Sequence, residues 1–321
     1  MLSLAGAVIF AVIIQGVNLS NLVQKITNAT PEWIIISISV YLAVFVIRAA
    51  RWKIILANKS KFSSLFHIFQ IGYLLNNVFP FHIGEVIRAV ILKEKEKVEV
   101  GYGLSSIVVE RIMDIVAILA LAIVMTALIP AAQGSHQLLS GTIKSVAIVF
   151  TLAITAIVIF AARPHFLVKF LDYTARARRL AKISNRMKAL VLDVANGLQI
   201  MSKKRGNFAA AFALTFLSWV VNFIGIYFLF TAVGFYVSPL VIFLGFLGTT
   251  VLLVFPSTPG YIGTYEGFWV ATFFALGITQ VDEVLAVGIL SHIVSVALST
   301  CLGAVGLLAL KLTFGDVLRA K

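Results

Sequence analysis

Six ionisable side chains, Glu85, Arg88, Glu110, Arg111, Asp114 and Glu266, fall inside segments that are otherwise apolar. On insertion scales each would cost roughly 2.5–3.5 kcal/mol at a lipid-exposed helix centre, so six unpaired would approach ~15–20 kcal/mol. That exceeds the stability of a whole domain, so these groups must face one another or water. Glu85 and Arg88 stand at i, i+3, as do Arg111 and Asp114, and Glu110 and Asp114 stand at i, i+4, which places each pair on one helix face. Two chemistries fit. In one, Arg88 and Arg111 grip a phosphate bidentately in a hydrated pocket that Glu85, Glu110 and Asp114 help to line. In the other, the same charges are ion pairs that lock helices together and touch no substrate.

Glu266 has no charged neighbour in sequence to pair with, so it must find a partner across the fold or hold a proton, which makes it a proton-coupling candidate. His82 is the histidine best placed to act, at the tip of a proline break, while His67 and His292 read as satisfied core or interfacial residues. Gly260 and Gly263 would allow close backbone approach or free amide donors for an anion. Trp33, Trp52, Trp219 and Trp269 are expected near span ends, as interfacial anchors. No nucleophile–base arrangement or metal-ligand set stands out. No catalytic residue, metal or cofactor is therefore expected, and the chain does not read as an enzyme.

The elements that must position these groups follow from the breaks. Val78-Phe79-Pro80 precedes Gly84 and Glu85, and Val254-Phe255-Pro256 precedes Pro259, Gly260, Gly263 and Glu266. Pro80, Gly84, Pro256, Pro259, Gly260 and Gly263 are thus the expected hinge positions. Broken helices at corresponding places in two halves mark the substrate region of many transporters. Basic residues mark the cytoplasmic side of a membrane protein. The Arg48–Lys61 stretch, the Lys93–Lys97 run, segment 163–206 and the Lys311/Arg319/Lys321 tail should share that side. The sparsely charged connections at 25–32, 130–140, 233–238 and 278–283 should share the other.

One threading satisfies both sets. It has spans at about 2–23, 32–54, 99–129, 141–162, 207–232 and 284–310, a cytoplasmic-side hairpin at 63–93 and an outer-side hairpin at 237–278. The expected fold is a single all-α integral-membrane domain over 1–321 with six full spans plus two re-entrant or broken-helix hairpins. That makes eight to ten helices in an inverted-topology repeat, with both termini cytoplasmic in the cell membrane.

Composition agrees. The chain has 321 residues, 60% of them hydrophobic and 12% charged, with a mean hydropathy of +1.03. A soluble domain carries about 25% charged residues, so this one lacks the polar surface for water. The single Cys301 excludes an internal disulfide. The net charge of +13 does not point to nucleic acid, because eleven Lys and Arg fall within 163–206. Apolar residues recur there every three or four positions, as in a basic helix lying on an anionic membrane surface.

Arg48-x-x-Arg51-Trp52, Gly84-Glu85-x-x-Arg88, Glu110-Arg111-x-x-Asp114 and Pro256-x-x-Pro259-Gly260-x-x-Gly263-x-x-Glu266 occur in that order. The ordered set resembles the transmembrane region of the lysylphosphatidylglycerol synthases, also called the flippase-like domain family, over roughly residues 1–312. The resemblance implies an integral-membrane domain that moves lipids between leaflets. In the aminoacyl-phosphatidylglycerol synthases this region precedes a soluble aminoacyl-transferase domain. The sequence here ends at Lys321 without one, so lysyltransferase activity is not expected of it.

Three functions stay open. The chain moves a phospholipid or lipid-linked head group; or it is the membrane component of aminoacyl-phosphatidylglycerol (lysyltransferase-type) or other lipid or glycolipid synthesis; or it is a non-transporting scaffold for a partner synthase or glycosyltransferase. Membrane lipids are the expected partners in each case, and a homo-oligomer is left open.

Overall fold

The computed structural model describes residues 17–57, 60–79, 82–127, 192, 205–253 and 258–319. Among these the chain is helical, with no strand. Helix α1 (Leu19–Thr27) is short and capped by Asn18, whose side chain accepts from the Asn21 amide. Residues 19–23, expected at the end of the first span, thus open a helix that starts after Asn18, and residues 1–16 of that span lie outside the described residues. Helix α2 (Pro31–Ile55) opens on proline, whose missing N–H is not needed in a first turn. Helices α3 (Phe62–Val78) and α4 (Ile83–Glu96) form a hairpin, and α5 (Val100–Ala127) follows. The second half repeats the order: α6 (Arg205–Val233), the hairpin of α7 (Pro239–Leu252) and α8 (Thr264–Ala275), then α9 (Val281–Ala309). A 3-10 turn at Pro259–Tyr261 precedes α8, and α10 (Phe314–Arg319) ends the described chain. Pro80 and Pro256, the expected hinge prolines, and nearly all of segment 163–206 lie outside the described residues.

Helices α2, α6 and α9 are long and apolar enough to cross a membrane. Helix α5 has spanning length at 28 residues, but Glu110, Arg111 and Asp114 interrupt its apolar character. Helices α2 and α6 run antiparallel. The Thr30 amide donates to Ala232 O at 2.9 Å, Ser37 Oγ to Gly225 O at 2.8 Å, and Arg51 Nη1 to Thr215 Oγ1 at 3.2 Å.

Helix α9 is the ruler of the fold. Near its start, Trp269 Nε1 of α8 donates to Val284 O at 2.8 Å, and Tyr265 Oη meets Ser291 Oγ at 2.7 Å. Further along, Asn77 Nδ2 of α3 donates to Ser299 Oγ at 2.8 Å, and Gly303 and Gly306 lie against the α3 backbone at Gln70 and His67. The two hairpins thus lie end to end along α9, one on each half, and their tips meet. His82 Nε2 lies 3.2 Å from Tyr261 Oη across that junction. Both residues hold a left-handed backbone, with φ of 54° and 58°, which costs about 1–2 kcal/mol per non-glycine residue. The junction concentrates strain as well as contact.

The ends of the bundle differ in charge. At one end Asn18 and Asn21 bind Asp282, and Lys25 pairs with Glu283. At the other, Lys95 Nζ donates to Leu310 O and Glu96 accepts from the Lys61 amide. Lys93 and Lys97 stand beside them on α4 and its cap.

Glycines set the closest approaches. A Cβ on Gly84 would lie 2.0 Å from the Gly72 carbonyl oxygen and 2.7 Å from Asn76 Oδ1. The Asn76 side chain can move aside but the Gly72 carbonyl is backbone, so Gly84→Ala must splay the first hairpin. Overpacking of this kind costs about 1–3 kcal/mol. The variant is expected to unfold at lower temperature in detergent, and an unchanged midpoint would show that the arms have room to separate.

Candidate functional site

Where α2, α4, α5 and α6 converge, four guanidinium groups face three carboxylates. Arg51 is only 2% exposed. It grips Asp114 bidentately, Nη1 to Oδ1 at 2.5 Å and Nη2 to Oδ2 at 3.3 Å, and its Nη2 also donates to Glu110 Oε1 at 3.2 Å. Arg88 donates to the other oxygen of Glu110. Its guanidinium lies 4.3 Å from the Trp52 ring centroid and 4.8 Å from that of Phe69. Arg111 donates to Glu85 and approaches Asp114 Oδ2 at 3.5 Å. Trp219 Nε1 completes the Asp114 shell at 3.3 Å.

Helical spacing alone suggests Glu85 with Arg88, but the two residues diverge. Each pairs with α5 instead, Glu85 with Arg111 and Arg88 with Glu110. The physical reason is tertiary. Antiparallel packing of α4 on α5 offers each charge an opposite partner head-on, with better geometry than an i, i+3 neighbour on the same helix. Arg111–Asp114 keeps its local spacing as a longer contact.

Arg48 differs from the other three. Its Nη1 donates to Tyr73 Oη at 2.7 Å, its guanidinium sits 5.3 Å from the Trp219 ring centroid, and it has no carboxylate partner among the described residues. The cluster therefore carries one positive charge more than it neutralises.

A cavity of about 240 Å³ opens beside this cluster, bounded by Arg48, Arg111 and Asp114, by both hairpin tips at His82 and Tyr261, and by His292 of α9. Asn76, Asn77 and Asn222 add amides to its wall. Arg111 is the exposed member of the cluster, with 49% of its side chain accessible. Arg88, Glu85 and Glu110 are not among the residues lining the cavity; Arg88 is 3% exposed.

Glu266 does find its partner across the fold. Its Oε1 lies 2.6 Å from His292 Nδ1, and its Oε2 accepts from the Gly263 amide at 2.8 Å. His292 Nε2 lies 2.8 Å from Gly260 O. A carbonyl oxygen only accepts, so Nε2 carries hydrogen, and Nδ1 and the carboxyl share one further proton between them. Gly263 and Gly260 serve here as cap and acceptor for the pair, with φ of 78° and 63°.

The two hairpins are held alike. Glu85 and Glu266 each stand third in their helix after the cap, and each pairs with the residue 26 positions on in the next long helix, Arg111 and His292. The helix starts match too: Ile83 precedes Thr264 by as many positions as Val100 precedes Val281.

Arg48, Arg51 and His292 are site-forming residues that the sequence reading left aside. The first two were grouped with a cytoplasmic basic stretch, although they lie within the last turns of an apolar helix. Their signal was the Arg-x-x-Arg-Trp spacing, which directs two cations and an aromatic ring toward the bundle. The tryptophans also depart from expectation. Trp52, Trp219 and Trp269 are buried, each spending its N–H inside, on Ser106, Asp114 and Val284 respectively.

The family model described as the lysylphosphatidylglycerol synthase TM region matches residues 1–303. The chain belongs to that family. Among curated relatives, a UPF0104 membrane protein of Methanocaldococcus jannaschii is 25% identical over 310 residues, covering 92% of this chain and 90% of its own length. A UPF0104 membrane protein of Pyrococcus horikoshii is 22% identical across 97% of this chain and 96% of its own. The glycosyltransferase AglD of Haloferax volcanii is 23% identical across 89% of this chain but only 50% of its own length. No solved structure matches the chain. The chain is thus a membrane protein of the lysylphosphatidylglycerol synthase TM family.

Proposed function

We propose that this protein moves a lipid phosphate head group between the leaflets of the cell membrane. The observation that carries the reading is Arg48, a guanidinium with no carboxylate partner among the described residues, beside the exposed Arg111 in a cavity at the meeting point of two helical hairpins. An uncompensated cation among apolar helices is costly, and an anion entering the cavity would relieve it. Guanidinium matches phosphate bidentately. Acyl chains would stay in the bilayer while the head group used the polar path.

In this reading α3–α4 and α7–α8 enter from opposite faces, and the two halves are an inverted repeat. The shared interval between equivalent helices and the matched Glu85–Arg111 and Glu266–His292 pairs support it. The lysine-rich end, with Lys61, Lys93, Lys95 and Lys311, would face the cytoplasm. Arg88 becomes a strut holding Glu110, and Arg48 takes the phosphate-binding role that sequence spacing suggested for Arg88. His82 lines the path at the tip of the first hairpin.

The test uses the full chain in liposomes with a fluorescent phospholipid. Arg48→Ala and Arg111→Ala should each slow translocation about tenfold or more, the loss of a charge-assisted hydrogen bond worth ~1.5–3 kcal/mol. Insertion should be unaffected. Wild-type rates in both variants would defeat the proposal. The likeness to AglD supports a neighbouring reading, in which the head group is the product or substrate of a glycosyltransferase partner. Lipids co-purifying with the protein would separate the two.

A further inference from the structure

We propose that the cavity selects a lipid phosphate esterified to a hydroxyl-rich ring, an inositol or a hexose, and that Asn222 with Asn77 reads the ring hydroxyls. The inference rests on the head-group reading above and adds the class of head group.

Size sets the first limit. Pockets for drug-sized ligands run about 300–1,000 Å³, and this one is about 240 Å³. With water occupying ~30 Å³ in the liquid, the space equals about eight waters. It suits a phosphate and one small ring, not a whole lipid.

Hydrogen-bonding character sets the second. Phosphate oxygens only accept, and Arg48 and Arg111 supply donors for them. The wall also offers acceptors that a phosphate cannot satisfy. Asn222 Oδ1 is buried and has no partner among the described residues. Asn77 spends its Nδ2 on Ser299 at 2.8 Å and Thr300 at 3.3 Å, which leaves its Oδ1 uncommitted among those residues. Acceptors of this kind are matched by the O–H donors of a hydroxyl-bearing head group, which a bare phosphate oxygen cannot replace.

Charge excludes the main competitor. An ammonium head group would also donate to these amides, but it would sit beside two guanidinium groups, and Asp114 is already taken by Arg51, Arg111 and Trp219. Aromatic residues Tyr41, Tyr73 and Trp219 also line the cavity. The C–H face of a sugar or inositol ring packs on such surfaces while its hydroxyls point to the amides.

The deciding experiment is native mass spectrometry of the full chain in detergent, titrated with dioctanoyl phosphatidylinositol, phosphatidic acid and phosphatidylethanolamine. Phosphatidylinositol should bind at least about tenfold tighter than the other two, a difference of ~1.4 kcal/mol. Asn222→Leu should bring phosphatidylinositol to within about threefold of phosphatidic acid, and leave phosphatidic acid unchanged. Soluble inositol 1-phosphate should displace the bound lipid at concentrations where inorganic phosphate does not, which separates a head-group site from a free-phosphate site.

Equal binding of phosphatidylinositol and phosphatidic acid by the wild type would overturn the proposal. So would an equal loss of both lipids in Asn222→Leu, or competition by inorganic phosphate as effective as that by inositol 1-phosphate. A different failure belongs to the underlying reading: if Arg48→Ala and Arg111→Ala leave phosphatidic acid binding untouched, the phosphate assignment itself falls.

Discussion

Glu110→Ala should leave little folded protein to purify. Glu110 is 2% exposed and holds Arg51 through one oxygen and Arg88 through the other. Removing it strands Arg88 over two aromatic rings with no anion and leaves Arg51 with Asp114 alone. Breaking a buried pair from one side costs about 3–5 kcal/mol, a large share of the ~5–15 kcal/mol that holds a typical domain together. Replacing both partners by apolar residues is far milder than stranding one. The double variant Glu110→Leu/Arg88→Leu should therefore recover part of the loss, since Trp52 and Phe69 already form an apolar bed for residue 88. Size-exclusion profiles and thermal unfolding in detergent measure both. A Glu110→Ala protein as stable as wild type would mean that this cluster is hydrated and contributes little to folding.

The second large effect is expected at Glu266. Alanine there removes the acceptor of the Gly263 amide and the partner of His292 Nδ1 together, so the tip of the second hairpin loses two of its ties. The expected penalty is again on the order of 3–5 kcal/mol. Glu266→Gln is the informative control. Its amide oxygen can accept from Gly263 and its NH₂ can donate to a neutral imidazole that keeps hydrogen on Nε2 for Gly260 O. The glutamine variant should therefore stay within about 1 kcal/mol of wild type. If glutamine proved as damaging as alanine, hydrogen-bond geometry alone would not hold the pair, and the shared proton with its charge would be the feature that does.

Much of this architecture was legible in the residues. Apolar runs gave the long helices α2, α6 and α9, and the cost of charge in an apolar layer forced Glu110, Arg111 and Asp114 into a cluster before any coordinates were known. The local pairing was not legible. Spacing ranks neighbours on one helix, whereas Glu85 and Arg88 chose partners across the α4–α5 contact, which depends on how two helices are rotated against each other. Arg48 and Arg51 were obscured because an arginine near a helix end ordinarily reaches outward to water. Only packing shows that these two reach inward. His292 was hidden for a similar reason: its pairing with Glu266 joins residues 26 positions apart on two helices, and no periodicity within either helix announces it.

The way the hairpins abut has a mechanical consequence. Along their flanks they are keyed into α9, with Gly303 and Gly306 admitting the α3 backbone and Gly288 admitting Trp269. At their ends the described residues meet through His82 and Tyr261 and the approach of Gly260 to Asn77. A seam between the two hairpins thus crosses the middle of the bundle, at right angles to α9. A deformation that parted the hairpins there would have to act across α9, which runs unbroken past the seam.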